Sequence, residues 1–294
     1  MNSPRKFREL LKNEAFIVSP GVYDGYSIRL VEAAGFKTAC TSGAAISNAL
    51  LGIADIGVMG LTENVNHCRN LARSVSIPLT ADADNGYGNP VNVFHTVRMF
   101  EEAGVAGVNL EDQVSPKRCG HMPGKDVVSQ AEMLKKIEAA CLARRDDDFV
   151  IIARTDAIAV DGVDAALERA HACVEAGADA IFAEASYDLD TYRTFSASLK
   201  VPVLANITEF GQTPLFTVDE LAGAGVGMVL YPLSAFRAMN KAAEAVYEAI
   251  RRDGHQHNVV DLMQTREELY DRIGYHRYEA QLDALFRQGK HKAS

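Results

Sequence analysis

Ala103-Gly104-Val105 closes a stretch of helical spacing and opens an apolar run that continues to Leu110. The same junction recurs as Ala34-Gly35-Phe36, Ala176-Gly177-Ala178 and Ala224-Gly225-Val226. A small residue followed by Gly ends a helix well, because Gly enters the left-handed conformation that a Cβ resists. Working outward from these junctions, apolar runs of strand length fall at 16–22, 36–41, 77–81, 105–110, 149–153, 180–183, 201–205 and 227–231. Segments with apolar residues at helical spacing separate them, at 27–34, 91–103, 130–143, 163–176 and 218–224. Continuous rather than alternating apolar runs read as parallel strands covered on their outer face, and alternation with helices implies right-handed crossovers. The expected fold class is therefore α/β, an eight-stranded (β/α)8 TIM barrel. An open doubly wound sheet is the rival, but the first strand-turn-helix has no G-x-G-x-x-G loop. Beyond the eighth run, 235–253 and 265–288 read as extra helical stretches. Residues 1–294 are thus expected to form one barrel domain with a C-terminal helical extension, 235–294, that serves oligomer contacts or plugs the barrel.

The bulk composition agrees with a single enzyme-sized domain. The 294 residues are 48% hydrophobic, enough for a large core, and the net charge of -9 comes without a Lys/Arg stripe that would neutralise a phosphate backbone. Nucleic acid is excluded as a partner. The five cysteines form no C-x-x-C pair, and the start MNSPRKFRELLKNEAF has no apolar leader, so a reduced, cytoplasmic protein is expected. No stretch approaches the roughly 18 apolar residues of a membrane span.

In a (β/α)8 barrel the chemistry sits at the carboxyl ends of the strands. The third run ends in Ala81-Asp82-Ala83-Asp84-Asn85-Gly86, where Asp82 and Asp84 alternate and so face one side of an extended strand. Two carboxylates there suit Mg2+, with Mn2+ as the alternative, and Asp55, Glu111 and Asp112 are placed to hold its waters. Capping of a turn is the structural alternative for the pair. The fourth run leads into Lys117-Arg118-Cys119-Gly120-His121-Met122-Pro123-Gly124-Lys125. A thiol flanked by Lys117, Arg118 and His121 sits in a setting that lowers its pKa and lets it move protons near neutrality. Cys68, Cys141 and Cys173 fall on helical apolar faces and read as packing residues, as do His67, His95 and His171 in helical stretches. Arg154, Glu184, Asn206 with Thr208, and Arg237 follow the later runs. Arginine binds carboxylate in a bidentate fork, so Arg154 and Arg237 imply a substrate with more than one carboxylate, unless they pair with Glu184 or Glu209.

The loop Lys117 to His121, with Asp82-Ala83-Asp84 before it, resembles the signature of the isocitrate lyase and phosphoenolpyruvate mutase superfamily, in which Cys-Gly-His marks the lyase branch. The resemblance extends through Ala153-Arg154-Thr155-Asp156, Asn206-Ile207-Thr208-Glu209-Phe210-Gly211, Tyr231 to Arg237 and Gln264-Thr265-Arg266, and the 206–211 and 231–237 segments look most like 2-methylisocitrate lyases. It implies a Mg-dependent carbon-carbon lyase that cleaves 2-methylisocitrate to pyruvate and succinate, active in propionate breakdown and assembled as a homotetramer. It further implies Asp82 and Asp84 as metal ligands, with Asp55 and Glu111 acting through water, and Cys119, His121, Arg154 and Glu111 as catalytic residues. Ser42, Gly43, Ala44 and Arg154 would bind the pyruvate part, and Gly120, His121, Glu184, Asn206, Thr208, Arg237 and Arg266 the succinate part. Two features point elsewhere in the superfamily. Lyases of this branch carry Tyr where Cys40 stands, and Pro20-Gly21-Val22-Tyr23-Asp24-Gly25 is more similar to 2-alkylmalate lyases and oxaloacetate hydrolases. A lyase or hydrolase for a smaller dicarboxylate is therefore the alternative enzyme, and a metabolite-binding barrel the alternative without catalysis.

Overall fold

Eight parallel strands, β1 (Ile17–Val22), β2 (Ala39–Thr41), β3 (Leu79–Asp82), β4 (Gly107–Glu111), β5 (Val150–Thr155), β6 (Ala180–Ala183), β7 (Val203–Asn206) and β8 (Met228–Tyr231), pair in sequence order. The ring closes through β1 and β8, with Ile17 opposite Met228 and Pro20 opposite Tyr231. The computed structural model describes residues 2–122 and 124–290. The (β/α)8 barrel expected from the apolar runs is the fold observed, and each of the four Ala-Gly junctions has its Gly at positive φ: Gly35 at 87°, Gly104 at 89°, Gly177 at 110° and Gly225 at 81°.

Strand periodicity divides the apolar residues into two cores. Outward-facing residues such as Leu79, Ala81, Val108, Leu110, Ile151 and Ile181 pack against the helices. Inward-facing Ile17, Cys40, Val150, Ile152, Phe182, Leu204, Met228 and Leu230 fill the barrel interior. The N-terminal helix Ser3–Asn13 adds fully buried Phe7 to that interior cluster, and burying a ring of this size is worth roughly 1.5–3 kcal/mol. Arg5, Lys6, Arg8 and Glu9 interrupt the apolar residues of this helix, so no apolar run marks it in the sequence.

The chain divides into two compact units, Met1–Phe236 and Arg237–Ser294, with the boundary inside the helix Ser234–Asp253. Within the second unit, the stretch expected as one helix over 265–288 is two, Arg266–Ile273 and Tyr275–Lys290. Gly274 at φ 69° ends the first, and Tyr270 stacks on Tyr275 across the break with ring centroids 4.3 Å apart. Residues 291–294 of the expected extension lie outside the described residues. Among the described residues, no helix is long and apolar enough to cross a membrane.

Candidate active site

The same two-residue period that fills the barrel also builds its rim. On β5, Val150 and Ile152 point inward and the next residue of that row is Arg154. On β6, Ala180 and Phe182 point inward and Glu184 continues the row just past the strand end. Leu204 is followed in the same way by Asn206 on β7. Strand pairing puts Glu111 beside Arg154. Glu111, Arg154, Glu184 and Asn206 thus crown the apolar interior, each at most 8% exposed.

These groups form one hydrogen-bonded and ionic network. Arg154 donates from Nε and Nη2 to the two oxygens of Asp156, at 2.9 and 3.2 Å, and its guanidinium lies 5.1 Å from the centroid of Phe182. The fork expected for a substrate carboxylate is therefore spent on Asp156, and what remains faces Glu111 at 3.3 Å and Glu184 at 3.7 Å. Asn206 donates to Glu184 at 3.1 and 3.3 Å. Asp112, expected beside a metal's waters, is engaged by β5. It accepts from the Asp156 backbone and the Thr155 hydroxyl, both at 2.8 Å, and so fixes the end of β5 from below. Burial and the neighbouring Asp156 push Asp112 up to about 6 against those hydrogen bonds.

Asp82 and Asp84 do come together, though by a turn and not by strand alternation. β3 ends at Asp82, and Asp84 adopts φ 48°, with its backbone N–H donating to Asp82 Oδ1 at 3.0 Å. Gly43 donates from its backbone to Asp82 Oδ2 at 2.9 Å, and a Cβ on Gly43 would meet both carboxylates, at 2.9 Å from Asp82 and 3.4 Å from Asp84. Ser42 spends its hydroxyl on the backbone of Ala45 at 3.4 Å, capping the turn that begins at Gly43 and Ala44. Burial, with Asp82 and Asp55 nearby, raises Asp84 to about 6, and Lys117 opposes the rise.

Lys117 and Lys125, in a loop whose polarity suggests a surface position, are both buried. Lys117 Nζ bonds Asp84, lies 3.0 Å from Asp55 and stands 4.0 Å from Glu111. It therefore serves the acidic pocket and not the thiol. The expected lowering of the Cys119 pKa is overturned. Burial raises it, Asp55 and Glu184 add to the rise, and the His121 backbone and Arg154 only partly oppose it. At neutral pH the thiol keeps its proton, which suits a donor.

The turn carrying Cys119 is pinned on both sides. Gln113 exchanges two 2.9 Å bonds with the backbone of Arg118. Lys125 Nζ donates to the Gly120 carbonyl and, at 2.7 Å, to Asp156. Gln212 donates from its backbone to His121 Nδ1 at 3.2 Å and from its amide to the His121 carbonyl at 3.1 Å. In the tautomer with Nδ1 accepting, Nε2 carries the ring proton, 3.4 Å from Glu184 Oε1 and 3.3 Å from Asn206 Nδ2. Burial, reinforced by Arg154 and Lys125, lowers the His121 pKa and keeps the ring neutral. A Cβ at Gly120 would land on the Glu184 carboxylate and the Arg154 guanidinium, so only Gly lets the turn rest on the rim. Gln113, Lys125 and Gln212 have no motif of their own in the sequence, and nothing short of the folded loop brings them to Cys119.

The carboxylates fit a hard cation. Among the described residues no three acidic, His or Cys side chains close on one point, but Mg2+ takes one or two carboxylates and completes its shell with water and substrate oxygens. Asp82 and Asp84 meet that need. Both Glu111 oxygens are buried without a hydrogen-bond partner, so they can receive a metal-bound water.

Thr208 is buried just past β7, and Arg237 and Arg266 belong to the second unit. Glu209, the alternative partner of Arg237, accepts from the Ser234 hydroxyl. Tyr23, raised to about 12 mainly by burial, packs edge-on against Phe236 at 4.9 Å. Cys40 lies in the barrel interior, where Asn109 donates to its sulfur at 3.5 Å. Cys68 and Cys173 are buried and Cys141 half-buried, as expected of packing residues. His95 and His171 are exposed, and His67 bonds the Tyr23 carbonyl at 2.7 Å.

The profile of the phosphoenolpyruvate phosphomutase family matches residues 7–251. A 2-methylisocitrate lyase of Shewanella oneidensis is 49% identical over 285 residues, covering 97% of this chain and 98% of its own. Among solved structures, a 2,3-dimethylmalate lyase superposes with a TM-score of 0.90 at 33% identity, over 97% of this chain and 95% of its own. A phosphonopyruvate hydrolase in complex with oxalate and Mg++ superposes at 0.85 and 33%, over 95% and 98%. With its parallel barrel, its paired aspartates and its Cys-Gly-His turn, this chain belongs to the phosphoenolpyruvate phosphomutase family, in the company of the 2-methylisocitrate lyases.

Proposed function

We propose that this carbon-carbon lyase cleaves 2-methylisocitrate to pyruvate and succinate, with Mg2+ held at Asp82 and Asp84. The observation that carries the reading is the seat of the Cys119-Gly120-His121 turn, in which Gly120 rests on Arg154 and Glu184. The near full-length likeness to a 2-methylisocitrate lyase supports the choice of substrate.

The reaction removes a proton from the substrate hydroxyl, breaks the adjacent C–C bond to leave a carbonyl, and returns a proton to the carbanion left on the other fragment. When bound, Mg2+ supplies Lewis-acid polarisation of substrate oxygens. Glu111, whose oxygens make no hydrogen bond though Arg154 lies at 3.3 Å, is the group assigned to take the hydroxyl proton, with Lys117 and Arg154 opposing the rise that burial gives its pKa. Ser42, Gly43, Ala44 and the edge of Arg154 that faces Glu111 orient the pyruvate part. His121, Asn206 and Thr208 donate to the succinate part, and Cys119 protonates the carbanion. The pinned loop keeps water from the carbanion until that transfer. The enzyme acts in the cytoplasm as a homotetramer.

A lactate dehydrogenase-coupled assay tests the substrate. Pyruvate should form from 2-methylisocitrate with Mg2+, and none with EDTA. Cys40, in place of a phenol, favours a second reading in which a 2-alkylmalate is cleaved. Turnover of 2,3-dimethylmalate with 2-methylisocitrate inert would replace the first reading by the second.

A further inference from the structure

Lys125 stands at the far end of the loop from Lys117, and the proposed reaction gives it no role. Its side chain is 2% exposed, which is costly for an ammonium group unless it is fully partnered. It has two partners on different parts of the site. One is the Gly120 carbonyl, in the turn next to Cys119. The other is Asp156 Oδ1 at 2.7 Å, the carboxylate whose two oxygens also receive the Arg154 fork. Asp156 is in turn fixed through its own backbone by Asp112, and Asp112 is faced by Arg169 at 3.5 Å. A continuous buried chain thus runs from β5 through one shared carboxylate into the Cys119 turn.

We infer that Lys125 is a positioning residue that locks the Cys119 turn to the Arg154–Asp156 pair, so that the thiol and the substrate-facing guanidinium are held in one geometry. This inference rests on the reading that the rim carries lyase chemistry. Gln113 and Gln212 pin the neighbouring residues with neutral amides, whereas Lys125 ties the turn to the carboxylate that orients Arg154. A displaced donor slows proton transfer far more than it weakens binding, because substrate contacts from the rim remain. Losing a charged hydrogen bond also lets the turn open more often.

Lys125→Met keeps the apolar stem and removes the ammonium group. Two readouts apply, after circular dichroism has verified the fold. Steady-state kinetics should give a kcat reduced on the order of 100-fold with KM nearly unchanged. Alkylation by iodoacetamide without substrate, followed by peptide mass spectrometry, should proceed roughly tenfold faster at Cys119, with half-buried Cys141 as the internal reference. A wild-type kcat, or a lowered kcat with Cys119 alkylated at the wild-type rate, overturns the inference. Should the Met variant not fold, Lys125→Gln, too short to span both partners, takes its place, with the same results supporting or overturning the inference. The alkylation arm needs no substrate, so it tests Lys125 even if wild-type protein leaves 2-methylisocitrate untouched, an outcome that would count against the proposed substrate alone.

Discussion

Cys119 shows how far a local sequence context can mislead about a single residue. Three basic neighbours in sequence suggest an activated thiolate, yet Lys117 turns to Asp84 and Asp55, and burial dominates the thiol. The consequence for pH is definite in sign. A donor must carry its proton, and a raised pKa extends the protonated range upward, so kcat should stay level through the ordinary thiol range and fall only above it. A pH–rate profile with its alkaline limb below that range would contradict the assignment. Cys119→Ser should lower kcat by about 10²–10⁴-fold and remove that limb, while isothermal titration still detects succinate. Cys119 itself, the paired aspartates and Arg154 are legible in the sequence because each follows an apolar run; their protonation and their distant partners are not, because burial and groups such as Lys117 beside Asp84 or Glu184 beside Arg154 are set by the closed fold.

At the scale of elements, glycine decides where helices stop and how closely the loop approaches the rim. Gly104 caps the helix Pro90–Ala103 at φ 89°, and a methyl group added to it would meet nothing nearer than Ala72 at 4.0 Å. Gly104→Ala should therefore cost only the conformational term, about 1–2 kcal/mol in urea unfolding, with activity kept. Gly120→Ala should behave in the opposite way. Its methyl would strike Glu184 and Arg154, so turnover should drop on the order of 100-fold while the thermal midpoint holds, because the turn lies outside both cores. A variant that keeps its rate would mean that the turn does not seat on the rim during the reaction.

For the whole molecule, the barrel collects like charges that an interior would otherwise reject. Asp55, Asp82, Asp84 and Glu111 share one neighbourhood, with Lys117 among them and Arg154 beside Glu111. A divalent ion that binds there only in the folded state should raise the melting temperature, by an amount equivalent to about 2.7 kcal/mol at one hundred times its Kd. Differential scanning fluorimetry with and without MgCl2 measures this, and Asp82→Asn should abolish the shift. An undiminished shift in that variant would place the ion elsewhere.

The sequence by itself determines the barrel, because eight apolar runs, helical spacers and Ala-Gly stops are local signals that one topology satisfies. It also determines much of the rim, since the inward rows of three strands end on polar residues: Arg154 after Val150 and Ile152, Glu184 after Ala180 and Phe182, Asn206 after Leu204. Tertiary structure decides what those residues do to one another. The Arg154 fork goes to Asp156, Asp84 reaches Asp82 through a left-handed turn, and Lys117 and Lys125 are drawn under the loop. The physical reason is that strand and helix periods are set by nearest neighbours along the chain, while buried charges take whichever counter-charge the closed barrel brings within reach.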